Sequence, residues 1–361
     1  MRIGVNALYF LPGGVGGTEI YLRSLLKALA QIDSTNEYVV FTNRETKRGL
    51  VPEAANFNER RQLLPAVFRP VRILWEQSIL PIAASISGID VLFNPGFTAP
   101  VVSSCPQVTV FHDLQHKRHP EYFRWFDLPF WNLLLRASAR VSRQLISVSE
   151  ATQRDLLLYY EADSTVIPLA ADPEFFDIAA LRAPEPFLLC VSTLHPHKNI
   201  DGLVKAFAPF RQQHLEFSLV LAGMKGFYTR QIEALVQALG IGNAVRIPGW
   251  MERSDLLDLY RRCHAFVYPS RFEGFGIPPL EAMAAGIPTA CSGIAPLTVI
   301  ADNAALFFPP DNIGPALERI CYDRELRTRL MAAGPERARQ FSWERTAAET
   351  LAVLRSAARR L

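Results

Sequence analysis

"HAFVYPSRFEGFGIPPLEAMAAGIPTAC", residues 264–291, sets the organisation of the chain. The apolar run at 265–268 reads as a buried strand that stops at Ser270. Gly274 and Gly276 then form a loop, and Pro279 suits a first helical turn, which needs no N–H. An Ala-rich helix over 279–285 ends at Gly286-Ile287-Pro288, and a new strand opens at Thr289. Two carboxylates, Glu273 and Glu281, flank the glycine loop. A helix dipole favours a nearby acid by ~0.3–1 kcal/mol. That accounts for Glu281, expected in the first turn, but not for Glu273 or the glycines. Free amides at Phe275, Gly276 and Ile277 suit an oxygen-rich ligand, and two carboxylates accept from paired hydroxyls. Vicinal diols, one on a ribose and one on a hexose, fit that demand.

The same strand–loop–helix unit recurs along the chain. Strands are expected near 2–6, 38–42, 91–94, 107–112 and 145–148, then near 187–192, 218–222, 245–248, 265–268, 289–291 and 305–308. Helices are expected near 17–31, 72–86, 125–141 and 150–160, then near 199–213, 229–239, 254–262, 279–285 and 312–331. Such alternation implies parallel sheets covered by helices, hence two doubly wound α/β domains, 1–170 and 184–342. Pro173, Pro184 and Pro186 mark 169–187 as a linker, and Ser342 caps a last long helix, 343–361. Ligands of open α/β sheets bind at the carboxyl ends of strands, so two facing domains put the expected site between them.

Bulk properties narrow the function. The 361 residues are 49% apolar and 20% charged, as in globular domains, and the net charge of +3 is too small and too dispersed for nucleic-acid binding. Cys105, Cys190, Cys263, Cys291 and Cys321 are scattered without metal-ligand spacing and read as reduced thiols of a cytosolic protein. Met1-Arg2 leads directly into a strand, which argues against a signal peptide, and no apolar run reaches the ~18–20 residues of a membrane span.

Other stretches fall just after strands. Gly13, Gly14, Gly16 and Gly17 precede an amphipathic helix and suit close approach of an anion, although a plain strand–helix turn has the same composition. His112 and Asp113 end another strand, where a packed histidine and a capping aspartate are the competing reading. In "HPHKN", Lys198 is placed to meet a phosphate, while His195 and His197 lack further ligands for a metal. The loop and short apolar helix of 291–312 read as structural. Arg44, Lys47, Arg48, Arg60, Arg61, Arg69 and Arg72 interleave with Phe57, Phe68 and Trp75, which suits an anionic membrane surface or an ordinary solvated face with packed aromatics.

In combination these stretches resemble the retaining glycosyltransferases of family 4, over essentially the whole chain. The most specific element is the E-x7-E pattern from Glu273 to Glu281, supported by "HPHKN", "LVLAGMKG", "VRIPGW", "LLDLYRRCHAFVYPS", "FHDLQHKRHPEYF" and "GGVGG". The resemblance implies the GT-B fold, with two Rossmann-like domains facing across a cleft and the final helix returning to the first. It implies that Glu281 binds the donor ribose and that Glu273 contacts the donor sugar. The amides of Phe275, Gly276 and Ile277, with Ser270, His197 and Lys198, would hold the sugar and diphosphate. Gly16 and Gly17 would approach the donor, and His112, beside Asp113, would sit near the reacting carbon. Two positions depart from the family: His197 stands where arginine is usual, and Thr298-Val299 replace a Pro-Glu pair. The implied reaction moves a hexose, with mannose from GDP-mannose favoured over UDP-sugars, to a glycan or lipid-linked hydroxyl in bacterial surface polysaccharide assembly. It needs no metal or other cofactor. The expected location is cytoplasmic, at the inner face of the plasma membrane. A catalytically silent nucleotide-sugar binder is the alternative; an epimerase or phosphorylase fits these motifs poorly.

Overall fold

A computed structural model describes residues 1–13 and 16–359. Gly14 of the glycine turn, and Arg360 and Leu361 of the expected final helix, lie outside the described residues. The chain divides into two units, Met1–Leu169 with Trp343–Leu361, and Ala170–Ser342.

The first unit is built on seven strands: β1 (Arg2–Asn6), β2 (Glu37–Thr42), β3 (Phe57–Arg61), β4 (Val91–Asn94), β5 (Gln107–Phe111), β6 (Gln144–Ser147) and β7 (Thr165–Val166). They form one parallel sheet in the order β3-β2-β1-β4-β5-β6-β7. The order reverses between β1 and β4, where the side chain of Asn6 donates to that of Asn94 at 3.1 Å. Two strands escape a reading by apolar runs. In β3, "FNERR", only Phe57 is buried, because a charged edge strand resists pairing with other chains. β7 is only two residues long.

The second unit has six parallel strands: β8 (Phe187–Val191), β9 (Ser218–Ala222), β10 (Val245–Gly249), β11 (Ala265–Tyr268), β12 (Thr289–Ser292) and β13 (Leu306–Phe308). Their order, β10-β9-β8-β11-β12-β13, reverses between β8 and β11. Leu188, Leu219, Leu221, Val267 and Ala290 from these strands pack with Leu203, Phe207, Ile232 and Leu317 from helices into one buried core. Both orders are those of doubly wound folds, in which ligands meet the carboxyl ends of strands at the reversal.

Two expectations are corrected. The stretch 169–187 is not simply a linker: Pro173 opens a helix, Pro173–Leu181, because a first turn has no N–H bond to lose. Its Phe175 and Ile178 are buried, and the segment from Ala170 belongs to the second unit. The single helix expected at 312–331 is two, Gly314–Tyr322 and Arg324–Ala338, because Asp323 ends one and caps the next by accepting from the N–H of Leu326. The final helix, Trp343–Ala358, packs on the first unit. Trp343 lies beside Tyr21, and Thr346 donates to the carbonyl of Pro168 at 2.7 Å. Among the described residues no helix is long and apolar enough to cross a membrane.

Candidate active site

In the second unit the candidate residues gather at the carboxyl ends of β8 and β11. Gly223 follows β9 with φ +132° and lies so close to the carbonyl of Ser192 that a Cβ would sit 2.2 Å from it. That contact holds the loop that carries His195, His197 and Lys198. Asn199, buried and left-handed at φ 53°, donates to the carbonyls of Pro269 and Pro310 at 3.1 and 2.9 Å. It therefore ties the loop after β8 to the loop after β11. The N–H of Arg271 and the hydroxyl of Ser270 reach the carbonyl of His197, at 2.7 and 3.2 Å, and the hydroxyl also reaches that of Phe272 at 2.9 Å. Ser270 thus faces loop backbone. The rings of His195 and His197 stack 5.9 Å apart, and burial, with the charge of Lys198, pulls His195 below its usual range.

Lys198 Nζ donates to Glu273 Oε1 at 2.6 Å, with both side chains largely out of solvent. The buried Tyr268 hydroxyl lies 3.4 Å from the same Nζ. Burial, then the charge of Glu273 and more weakly that of Glu281, pushes the Tyr268 hydroxyl far up. Both glutamates therefore act on one phenol at the end of β11.

Gly276, at φ +126°, precedes the helix Ile277–Ala284, and a Cβ on it would sit 2.4 Å from Leu297 Cδ2. Only glycine fits there. Pro278 and Pro279 follow, and the side chains of Phe275 and Ile277 are buried. Among the described residues nothing accepts a hydrogen bond from the N–H of Phe275 or Gly276. Glu281 is the fifth residue of this helix, and the first turn carries no acid, so the helix-dipole account of Glu281 is overturned.

What holds Glu281 is lateral. Its Oε2 accepts from the Tyr260 hydroxyl at 3.0 Å, and Arg253 stands 3.9 Å from Oε1. Oε1 itself is buried without a hydrogen bond. Burial pushes the carboxyl up to about 7, against the pull of Arg253. Arg253 also pairs with Asp172 at 2.8 Å and Glu174 at 3.1 Å and lies over the ring of Phe175. Arg253, Tyr260 and Asp172 escaped the sequence reading. The available signal was a cation in the first turn of a helix, Arg253–Arg262, where the dipole disfavours it.

In the first unit, His112 follows β5 and is 8% exposed. Its Nε2 lies 2.9 Å from the carbonyl of Pro95, which only accepts, so Nε2 carries the proton and Nδ1 the lone pair. Burial lowers the imidazole to about 4, so it is neutral at pH 7. The rings of Tyr21 and Phe97 pack on it at 4.9 and 5.1 Å. Phe97, unmarked by sequence, holds φ 70°, a strained conformation for an aromatic residue. Asp113 accepts from the N–H of Gln115 at 2.9 Å, closing a local turn. Gly16, at φ 58°, starts the helix Gly17–Ile32. The N–H of Gly13 is held by Glu19. For two of the three aromatics of the basic stretch the packed reading holds. Phe57 is buried and stacked on Tyr38, and Trp75 is half-buried and donates to Gln62, which leaves Phe68 exposed. Exposed aromatics instead cluster at Trp125, Phe126 and Phe130.

Among the described residues no group of three or more His, Cys, Asp or Glu side chains is placed to hold a metal ion.

Residues 15–175 match the family described as Glycosyltransferase Family 4, and residues 172–337 match Glycosyl transferases group 1. The two matches adjoin along most of the chain, which is a family 4-like glycosyltransferase. It is 29% identical to O-antigen chain mannosyltransferase B of Escherichia coli over 261 residues, 68% of each chain. Its fold superposes on sucrose-phosphate synthase from Thermosynechococcus elongatus with a TM-score of 0.78 at 22% identity, covering 99% of this chain and 98% of that one. It superposes on HepE of Anabaena, in complex with UDP and glucose, with a TM-score of 0.76 at 18% identity, covering 99% and 100%. The fold is that of the GT-B glycosyltransferases, two parallel-sheet α/β units.

Proposed function

We propose that the chain transfers mannose from GDP-mannose, with retention, to a hydroxyl of a glycan or lipid-linked saccharide in surface polysaccharide assembly. The observation that carries the donor site is Glu281: a buried carboxylate with one oxygen held by Tyr260 and the other unpaired. A ribose diol supplies the missing donors. Lys198 and Glu273, paired at 2.6 Å, then face the diphosphate and the sugar. The amides of Phe275, Gly276 and Ile277 are the remaining donors for phosphate or sugar oxygens. Ser270 contributes through the loop it holds, and His197 beside Lys198 through its ring.

In this reading the bond from C1 to the diphosphate oxygen breaks as the acceptor oxygen attacks the same face. The acceptor proton passes to the leaving diphosphate, whose charge is stabilised by Lys198 and loop amides. Neutral His112, with Nε2 held by Pro95, offers a lone pair on Nδ1 to a sugar hydroxyl, and Gly16 and Gly17 border the donor. The reaction asks for no metal or other cofactor. The mannosyltransferase relative supports mannose; the UDP and glucose held by the Anabaena structure favour the competing reading, a UDP-sugar donor. The inner face of the plasma membrane is the proposed site of action.

A thermal-shift panel of nucleotide sugars tests the donor. GDP-mannose at 100 times its dissociation constant should stabilise the chain by about 2.7 kcal/mol. Stabilisation by UDP-sugars alone rejects GDP-mannose, and no shift with any nucleotide sugar rejects the donor site.

A further inference from the structure

Arg69 and Arg72 open the helix Arg69–Ile86, whose first turn carries no acid and whose start has no side-chain cap. Two cations at the positive end of a helix are an unfavourable placement. Neither guanidinium has a hydrogen-bond or ion-pair partner among the described residues, and Arg72 Nε is buried and unsatisfied. Burial weakens the protonation of both, and the charge of Arg72 weakens that of Arg69 further, against the pull of Asp127 on Arg69 and of Glu76 on Arg72. Glu76, one turn on, supports the charge of Arg72 electrostatically but makes no ion pair with it among the described residues. It is buried, it accepts from Thr98 at 2.9 Å, and burial pushes its carboxyl up. An anion is the partner that this arrangement fits.

Arg72 lies near residues that follow the central strands β1 and β4 of the sheet that carries His112. Tyr9, electrostatically coupled to Arg72, packs its ring so close to Gly96 that a Cβ there would sit 2.5 Å from it. The neighbouring Pro95 carbonyl holds His112. The surroundings are apolar. Val67, Phe68 and Leu74 are 71%, 60% and 67% exposed, and the Arg69 guanidinium lies 3.7 Å over the ring of Trp131.

We propose that Arg69 and Arg72 bind the phosphate of a lipid-linked acceptor, with the exposed apolar side chains meeting its chain. This rests on the reading of the protein as a transferase with such an acceptor. The test uses the full chain and flotation with phosphatidylcholine vesicles, with and without a polyprenyl diphosphate. The wild type should float only with the diphosphate vesicles. An Arg69→Gln/Arg72→Gln variant should lose about tenfold or more in affinity per arginine. Its melting temperature should stay level or rise, because the repulsion is gone. Soluble pyrophosphate should compete far more weakly than the lipid form. The proposal is overturned if the variant floats like the wild type, if plain vesicles bind equally, if pyrophosphate alone matches the vesicles, or if the variant melts earlier. The GDP-mannose thermal shift, run in parallel, should be the same in both proteins; its absence with vesicle binding intact strikes the donor reading alone.

Discussion

The two units treat the charges at their candidate sites differently. In the second, Lys198 is tied to Glu273 and Arg253 to Asp172, Glu174 and Glu281. In the first, Arg69 and Arg72 have no such partner among the described residues, and His112 is held neutral by burial. A self-neutralised cluster is pre-organised: its cations are already aimed, and a ligand only has to take up donors and acceptors left over, such as Glu281 Oε1. Unpaired guanidiniums are the opposite device, with charge held for a ligand at a cost in stability.

The largest effect expected from breaking this contrast is at Lys198. Lys198→Ala leaves Glu273, only 10% exposed, without its partner and, in the proposed reaction, removes the cation that faces the leaving diphosphate. Turnover at saturating donor should fall by about 10²–10³. Nucleotide release per folded molecule measures it, and an unchanged rate reduces Lys198 to a structural brace.

His112 sharpens the comparison through pH. Its folded value near 4 lies below the ordinary 6.5, so the unfolded chain binds the proton first. The contribution of His112 to stability is therefore intact above about 6.5 and is lost as pH falls through about 4. A wild-type pH–rate profile should show no inflection from His112 between about 5 and 8, and His112→Gln should remove none. An inflection that vanishes in the variant contradicts a neutral imidazole.

The smallest effects separate the arginines. Arg253→Gln strips three carboxylates of their partner, one of them buried, and should cost about 1–3 kcal/mol by chemical denaturation. Arg72→Gln should cost nothing. Equal losses would erase the distinction between paired and reserved charge.

Sequence reading reached the fold through apolar runs such as "AFVY" and "SLVLA", which are buried on both faces and therefore self-announcing. It missed β3 because "FNERR" is an edge strand whose charges hide it, and the helix at Pro173 because proline was read as a breaker. At the site, Glu273, Lys198 and the Gly-Phe-Gly turn stood out because glycine and paired charges in a loop have few structural uses. Tyr260, Arg253 and Phe97 did not. Their significance is in what they touch across the fold, and no local spacing encodes that.

The central claim is that Glu281 receives the donor ribose. Burial raises its carboxyl from 4.5 to about 7, so the unfolded chain ionises first, and stability falls as pH rises from about 4.5 until it levels above about 7. Ribose hydroxyls bond best to the ionised form, so donor affinity should rise through the same upper limit. Calorimetric titration with GDP-mannose, and with UDP-glucose in parallel, from pH 5 to pH 8 measures this directly. The account predicts affinity that climbs to about pH 7 in the wild type. In Glu281→Gln it predicts affinity that is flat with pH and about ten- to a hundredfold weaker at pH 8. Equal affinities for wild type and Glu281→Gln at every pH would contradict it.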